Sequence, residues 1–305
     1  MRTTKWMSGV AAIFAAIALG TTATPASAAV VPNDLVVVQN PTTGQIAIQQ
    51  GATLQAGPPV NITVSSAFPG GDVEIYQPQN GVSQTDIDRK LIVAGNGAND
   101  PAAAAAAMVW FRYNTVIYGG LSANGMVNYK HILAPGKYYV AQFRPVQDPT
   151  NPNVMLLPSN TAKSFKVVGA PQATLPYAPQ KLSMNDVNGD KFIVGTVDGK
   201  LHTGQLLNIY NGSSELHFAQ IIQMKPGTTD ANVAAWIAGG ANPALPGGGV
   251  LNFGTQTPQG ASIVTFTVPA GLYLVIDWIP DTTTGLPHAL PPVNILLSTV
   301  ELIRA

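Results

Sequence analysis

Asp186, Asn188 and Asp190 place three oxygen donors at alternate positions, the spacing with which a calcium loop begins. Lys191 stands where that loop needs a glycine, and Val197 where it needs a bidentate carboxylate. A turn between strands, bent at Asn188-Gly189, accounts for the same residues. The other chemistry-bearing side chains are four histidines, His131, His202, His217 and His288. Imidazole is the commonest ligand for transition metals and the usual carrier of protons near neutral pH. With no cysteine in 305 residues, disulfides, thiolate metal sites, iron–sulfur clusters and cysteine nucleophiles are excluded. The chain has no Gly-x-Ser-x-Gly elbow, no His-Glu-x-x-His, no phosphate-binding loop and no Gly-x-Gly-x-x-Gly after a strand. The few acidic residues fall mostly in expected turns rather than as a facing catalytic pair.

The elements that must position these groups occur twice. Val116 to Pro145 and Val250 to Pro280 share an order of residues centred on Pro135-Gly136-Lys137-Tyr138 and Pro269-Ala270-Gly271-Leu272-Tyr273. Aligned on Gly136 and Gly271, Tyr138 coincides with Tyr273, Phe143 with Trp278, and the closing prolines with each other. Eight residues past those prolines stand Asn153 in one copy and His288 in the other. A repeat at this distance predicts two similar domains.

Short β-rich runs, several alternating apolar and polar residues, predict strands at 35–38, 46–49, 60–65, 73–76, 127–133 and 137–143. A second set follows at 192–196, 205–210, 218–223, 262–268, 272–278 and 295–303. Asn99-Asp100-Pro101 starts a helix over 102–113, with proline in its first turn, and 85–93 reads as another short helix. Thr228-Thr229-Asp230 caps a helix over 231–238. Trp110, Trp236 and Trp278 read as core or face packing rather than as a binding platform. His131 falls in a strand and has no evident partner.

Residues 1–28 read as an export signal: Arg2 and Lys5, an apolar run from Val10 to Leu19, and a small-residue cleavage site at Ala26-Ser27-Ala28. That run is shorter than the roughly 20 residues of a spanning helix, so the mature chain is expected outside the cytoplasm, secreted or in the cell envelope. Basic and acidic residues balance at 15 each and only 10% of residues are charged, which offers nucleic acid no basic stripe. Pro171, Pro176 and Pro179 mark a linker near 171–178. The chain therefore divides into domains at 29–170 and 179–305.

The second copy resembles a cupredoxin-like domain of the secreted bacterial plastocyanin type. The likeness lies in Asn208-Ile209-Tyr210-Asn211-Gly212 before Glu215-Leu216-His217, in Met224-Lys225-Pro226-Gly227 before the helix, and in Pro269-Ala270-Gly271-Leu272-Tyr273. Pro280-Asp281 followed by Gly285-Leu286-Pro287-His288 resembles the loop that presents the second histidine. The resemblance implies an all-β fold of two tandem Greek-key β-sandwiches, each with a short inserted helix. It also implies that His217 and His288 match two copper ligands, that Asp277 occupies the thiolate position, and that the axial position falls near Val293. A blue-copper site requires the thiolate, so that site is excluded. In the first copy the matching positions are about Val73 or Glu74, Gln142 and Asn153, which reads as a structural domain.

Two readings follow. The first is an exported non-enzymatic binding or structural module, without a cofactor, that meets an unknown protein or surface partner through an apolar face. The alternative is a non-blue copper or zinc site formed by His217, Asp277 and His288, with His202 as an extra ligand.

Overall fold

The computed structural model describes residues 33–68, 71–95, 99–122, 125–143, 146–148, 151–156, 162–171, 174–185, 191–237, 250–265, 268–289 and 297–304. The first half runs β1 (Asp34–Gln39), β2 (Ile46–Gln50), β3 (Thr53–Gln55), β4 (Val60–Ser66) and β5 (Asp72–Pro78), then helices α1 (Gln84–Gly95) and α2 (Pro101–Asn114). It continues with β6 (Thr115–Ser122), β7 (Gly125–His131), β8 (Gly136–Gln142), β9 (Val146–Asp148), β10 (Asn151–Leu156) and β11 (Lys163–Val168). The second half holds β12 (Gln180–Asn185), β13 (Lys191–Gly195), β14 (Leu201–Thr203), β15 (Leu206–Asn211) and β16 (His217–Gln223). Helix α3 (Asp230–Ile237) precedes β17 (Val250–Gln256), β18 (Ala261–Thr265), β19 (Gly271–Ile276) and β20 (Leu297–Arg304).

Each helix starts where its capping residues stand. Ser83 and Asp86 bond each other's backbone N–H at 3.2 Å, and Thr229 with Asn232 repeats the arrangement before α3 at 3.3 and 3.0 Å. These reciprocal caps satisfy the donors that a first helical turn leaves open. Asp100 accepts from Ala103 N at 3.0 Å, and Pro101 sits where a missing N–H costs nothing. Among the described residues, the first half thus inserts two helices between strands, and the second half one.

Apart from the separate β9–β10 pair, the strands form two large sheets, ordered β13-β12-β15-β18-β7-β4-β1-β2 and β14-β20-β19-β16-β17-β6-β5-β8-β11-β3. Both halves use the same mixed pairings: β1 runs parallel to β4 as β12 does to β15, and β3 parallel to β11 as β14 does to β20. Both sheets also cross the boundary between halves, through β7 against β18 and β6 against β17. The repeat offset is 135 residues (271 − 136), so Tyr129 and Val264 are equivalent positions, and they face each other in the β7–β18 ladder. Equivalent residues pairing antiparallel place a local two-fold axis between the copies. One apolar core, from Leu35 through Tyr129 and Tyr138 to Val264 and Val275, lies between the sheets of both halves.

Tyr138 donates to Ala134 O at 2.7 Å and Tyr273 to Pro269 O at 2.8 Å, a corner repeated at the same offset. Sequence pattern does not anticipate β6, β11, β12 or β17. In β6 the pair Gly119-Gly120 interrupts the apolar signal, because Gly120 must pass Val73 O, which a Cβ there would meet at 2.0 Å.

Candidate metal centre

Period-two alternation aims two of the expected ligands inward at one end of the second sandwich. On β16, Ala219 and Ile221 face the core, which puts His217 on the same face; on β19, Tyr273 and Val275 do the same for Asp277. The β16–β19 register pairs Gln220 with Ile276, so its continuation sets Asp277 opposite Ala219, one inward position from His217. The chain enters β16 through a turn held by Asn211, which donates to Glu215 O at 2.7 Å and accepts from Ser213 N at 3.0 Å. That turn fixes both Leu216, packed against the α1 and α2 cluster, and His217 beside it.

His288 comes from a short loop rather than a strand. Asp281 N bonds Leu286 O at 2.9 Å, Gly285 N bonds Asp281 O at 2.9 Å, and His288 N bonds Ile279 O at 3.0 Å. Asp281 Oδ1 accepts from Thr283 N at 3.1 Å and Thr284 N at 2.6 Å. Gly285 lies against helix α2: a Cβ there would come within 1.5 Å of Pro101 O. The inserted helix of the first half therefore buttresses the ligand loop of the second.

The three side chains meet. His217 Nδ1 lies 2.7 Å from Asp277 Oδ2, and His288 Nδ1 lies 3.7 Å from the same oxygen. The imidazole rings stand edge to face with centroids 4.6 Å apart. All three are buried, and one ligand atom from each falls within 4.8 Å of the others. Asp277 Oδ1 accepts from Ile279 N at 2.7 Å, which fixes the carboxylate, while His288 Nδ1 also faces Ile279 O at 2.7 Å. His217 Nε2 is buried without a hydrogen-bond partner, a cost that native interiors rarely carry unless a ligand or reaction uses the group. Two imidazoles and a carboxylate, with no thiolate, make a donor set that could hold Zn(II) or a non-blue Cu(II).

Two residues not expected as site residues complete the surroundings. Glu215 Oε2 lies 3.6 Å and Asp281 Oδ2 4.0 Å from His288 Nε2, and these three form a second group of converging ligand atoms. Burial alone would raise the Glu215 carboxyl, but the hydrogen bond to His288, those from the Thr282 hydroxyl and N–H, and the His288 charge hold it at about 2. Both acids are adjacent in sequence to the ligands, Glu215 two residues before His217 and Asp281 in the His288 loop, which is the only sequence signal that marks them.

His202 stays apart and meets Asp198 Oδ2 at 3.1 Å. The axial position near Val293 and the Asp186–Asp190 loop lie outside the described residues. Phe192 and Trp110 pack in or against the core, and Trp236 meets Trp278 edge to face at 5.9 Å. In the first copy, Gln142 occupies the place of Asp277 and accepts from Gln39 Nε2 at 2.7 Å and Asp72 N at 3.1 Å. Ser66 donates to Gln39 Oε1 at 2.7 Å, and Val73 is core. Amides and a hydroxyl thus surround, in the first copy, the position that Asp277 holds in the second; the side chain of Asn153 lies outside the described residues.

No protein-family model and no curated protein matches the chain. Solved structures do. A multicopper oxidase matches at 14% identity over 88% of each chain, with a TM-score of 0.21. A copper-containing nitrite reductase from Thermus scotoductus matches at 12% identity over 88% of this chain and 61% of its own, TM-score 0.22. Auracyanin A, a "blue" copper protein from Chloroflexus aurantiacus, matches at 17% over 41% of this chain and 98% of its own, TM-score 0.23. The fold is an all-β sandwich with small helices.

The matched solved structures include enzymes, the oxidase and the nitrite reductase among them. The expectation that this chain is not an enzyme is therefore corrected. It rested on missing hydrolase, metalloprotease and nucleotide-binding motifs. A metal centre gathered from separate strands and a loop leaves no such local motif. Among the described residues no helix is long and apolar enough to cross a membrane.

Proposed function

We propose that this cupredoxin-like protein binds a transition-metal ion, Cu(II) or Zn(II), through His217, Asp277 and His288. The observation that carries the reading is the convergence of both Nδ1 atoms on Asp277 Oδ2 in a fully buried site. The separations of 2.7 and 3.7 Å lie inside the ~4.2 Å that two donors can span when each sits ~2.1 Å from one ion. Such an ion would supply a Lewis-acid centre. The chain's own part is to hold the donors rigidly, by the Asn211 turn, the Ile279 N–H on Asp277 and the Pro101 contact on the loop. The proposal includes export, on the strength of the 1–28 leader, and a division into repeats at 29–170 and 179–305 joined by 171–178.

The test is a calorimetric titration of Cu(II) and of Zn(II) into the mature protein and into His217→Ala and His288→Ala. The expected result is micromolar or tighter binding that both substitutions abolish. Binding indifferent to both histidines would overturn the assignment.

A further inference from the structure

We propose that Gln259 is a positioning residue for the metal centre: from the hairpin between β17 and β18 it clamps the turn that carries His217, and so sets where that ring stands. This rests on the reading of His217, Asp277 and His288 as a metal centre. Thr257-Pro258-Gln259-Gly260 closes a tight turn, with Gly260 N donating to Thr257 O at 2.8 Å. Gln259, its third residue, has φ +60°, where turns of this kind favour glycine because a Cβ is strained there. Among the described residues only Asn80, of a type that tolerates this region, shares a positive φ without being glycine. Such strain persists where the surrounding structure over-determines the residue, and it gathers at functional sites.

The side chain spans the gap between the hairpin and the ligand turn. Its Nε2 donates to Gly212 O at 3.1 Å and to Ser213 O at 3.3 Å, and its Oε1 accepts from the Tyr210 hydroxyl. One residue on, Gly260 O accepts from Asn211 N at 2.9 Å. The same turn is tied from within. Asn211 Nδ2 and Ser213 Oγ donate to Glu215 O at 2.7 and 3.1 Å, and Glu215 N donates to Ser213 Oγ at 3.1 Å. Asn211, Gly212 and Ser213 are therefore held from one side by Gln259 and Gly260, and from the other by the segment that runs into His217.

The His217 ring has a single polar anchor among the described residues: Nδ1 meets Asp277 Oδ2 at 2.7 Å, while Nε2 is buried without a partner. A ring anchored at one nitrogen follows its backbone, and Ser213 lies only four residues before it. Gln259 itself is exposed, so substituting it opens no cavity in the core.

The experiment compares Gln259→Gly and Gln259→Glu with the unaltered protein. Glycine relieves the positive φ and removes all three side-chain bonds; glutamate keeps an acceptor for Tyr210 but has no N–H for the two carbonyls. Cu(II) binding is measured by calorimetry, the bound ion by electron paramagnetic resonance, and stability by thermal unfolding without metal. The proton that His217 Nδ1 shares with Asp277 is followed by nitrogen-edited NMR on the metal-free protein. Both variants are expected to bind Cu(II) about tenfold more weakly, with an altered parallel hyperfine splitting and a broadened Nδ1 proton resonance. The thermal midpoint of Gln259→Gly should stay within about 4 °C of the unaltered protein, because relief of strain offsets the lost bonds. A residue that only supports the fold would do the reverse. A lowered midpoint with unchanged hyperfine splitting would therefore overturn the positioning role, as would unchanged affinity, splitting and proton resonance in both variants. No Cu(II) uptake by the unaltered protein would overturn the metal centre, and the proton resonance would then decide the clamp by itself.

Discussion

Asp277, which the sequence resemblance sets at a thiolate position, points inward from the end of β19, meets His217 at 2.7 Å and is steadied by Ile279 N. The backbone setting should therefore accept the sulfur. Asp277→Cys is expected to give, on Cu(II) addition, an intense visible thiolate-to-copper band that the unaltered protein lacks. Absence of that band in a folded variant would show that the position is not equivalent. His131 makes a separate prediction. Burial outweighs its bonds to Ile132 O and Ala261, so its folded pKa falls to about 4 from the ordinary 6.5. The imidazole is neutral in both states above pH 6.5 and costs nothing there. Between pH 6.5 and 4 only the unfolded chain takes up the proton, so stability falls across that window by up to about 3 kcal/mol. Urea unfolding of His131→Gln over the same range should show a correspondingly flatter pH profile.

At the level of elements, the ligand loop and helix α2 are coupled through one glycine. Gly285 has φ +70°, and a Cβ there would fall 1.5 Å from Pro101 O and 2.3 Å from Pro101 C. Backbone at both ends of the contact cannot move aside as a flexible side chain would. Gly285→Ala should therefore shift the loop that carries His288 and weaken metal binding at least tenfold, although no ligand is changed. Gly227 has a similar φ of +80° but open space around it, so Gly227→Ala should cost only the local strain, about 1 kcal/mol, with metal affinity intact. Equal effects of the two substitutions on metal affinity, measured by calorimetry, would refute the coupling.

At the level of the whole molecule, the two repeats complete each other's sheets. Strands β6 and β7 of the first half pair with β17 and β18 of the second, and one core runs through both. Residues Asn33–Ala305 form one compact unit. Cutting between the halves would expose two inner strand edges and open that core, which is costly in water and prone to association. Residues 29–170 and 171–305 produced separately are thus expected to lack a cooperative thermal transition, and to regain it when mixed. A sharp transition from either half alone would show that the shared sheets are not needed for folding.

The sequence by itself determined what depends on local order. The alternation of apolar residues marks β1, β4, β15 and β19, the Ser83, Asp100 and Thr229 neighbourhoods mark the three helix starts, and the repeat around Gly136 and Gly271 marks the doubled fold. The absence of cysteine excludes a thiolate site, and the positions of His217, Asp277 and His288 name a candidate triad. Only the tertiary structure decided that the triad meets, because the meeting needs the β16–β19 register and a loop wedged against α2, contacts 50 residues or more apart along the chain. It alone also set Glu215 and Asp281 against His288 and joined β7 to β18. Pairing between distant segments depends on the packing of the whole core, which no local pattern of residues encodes.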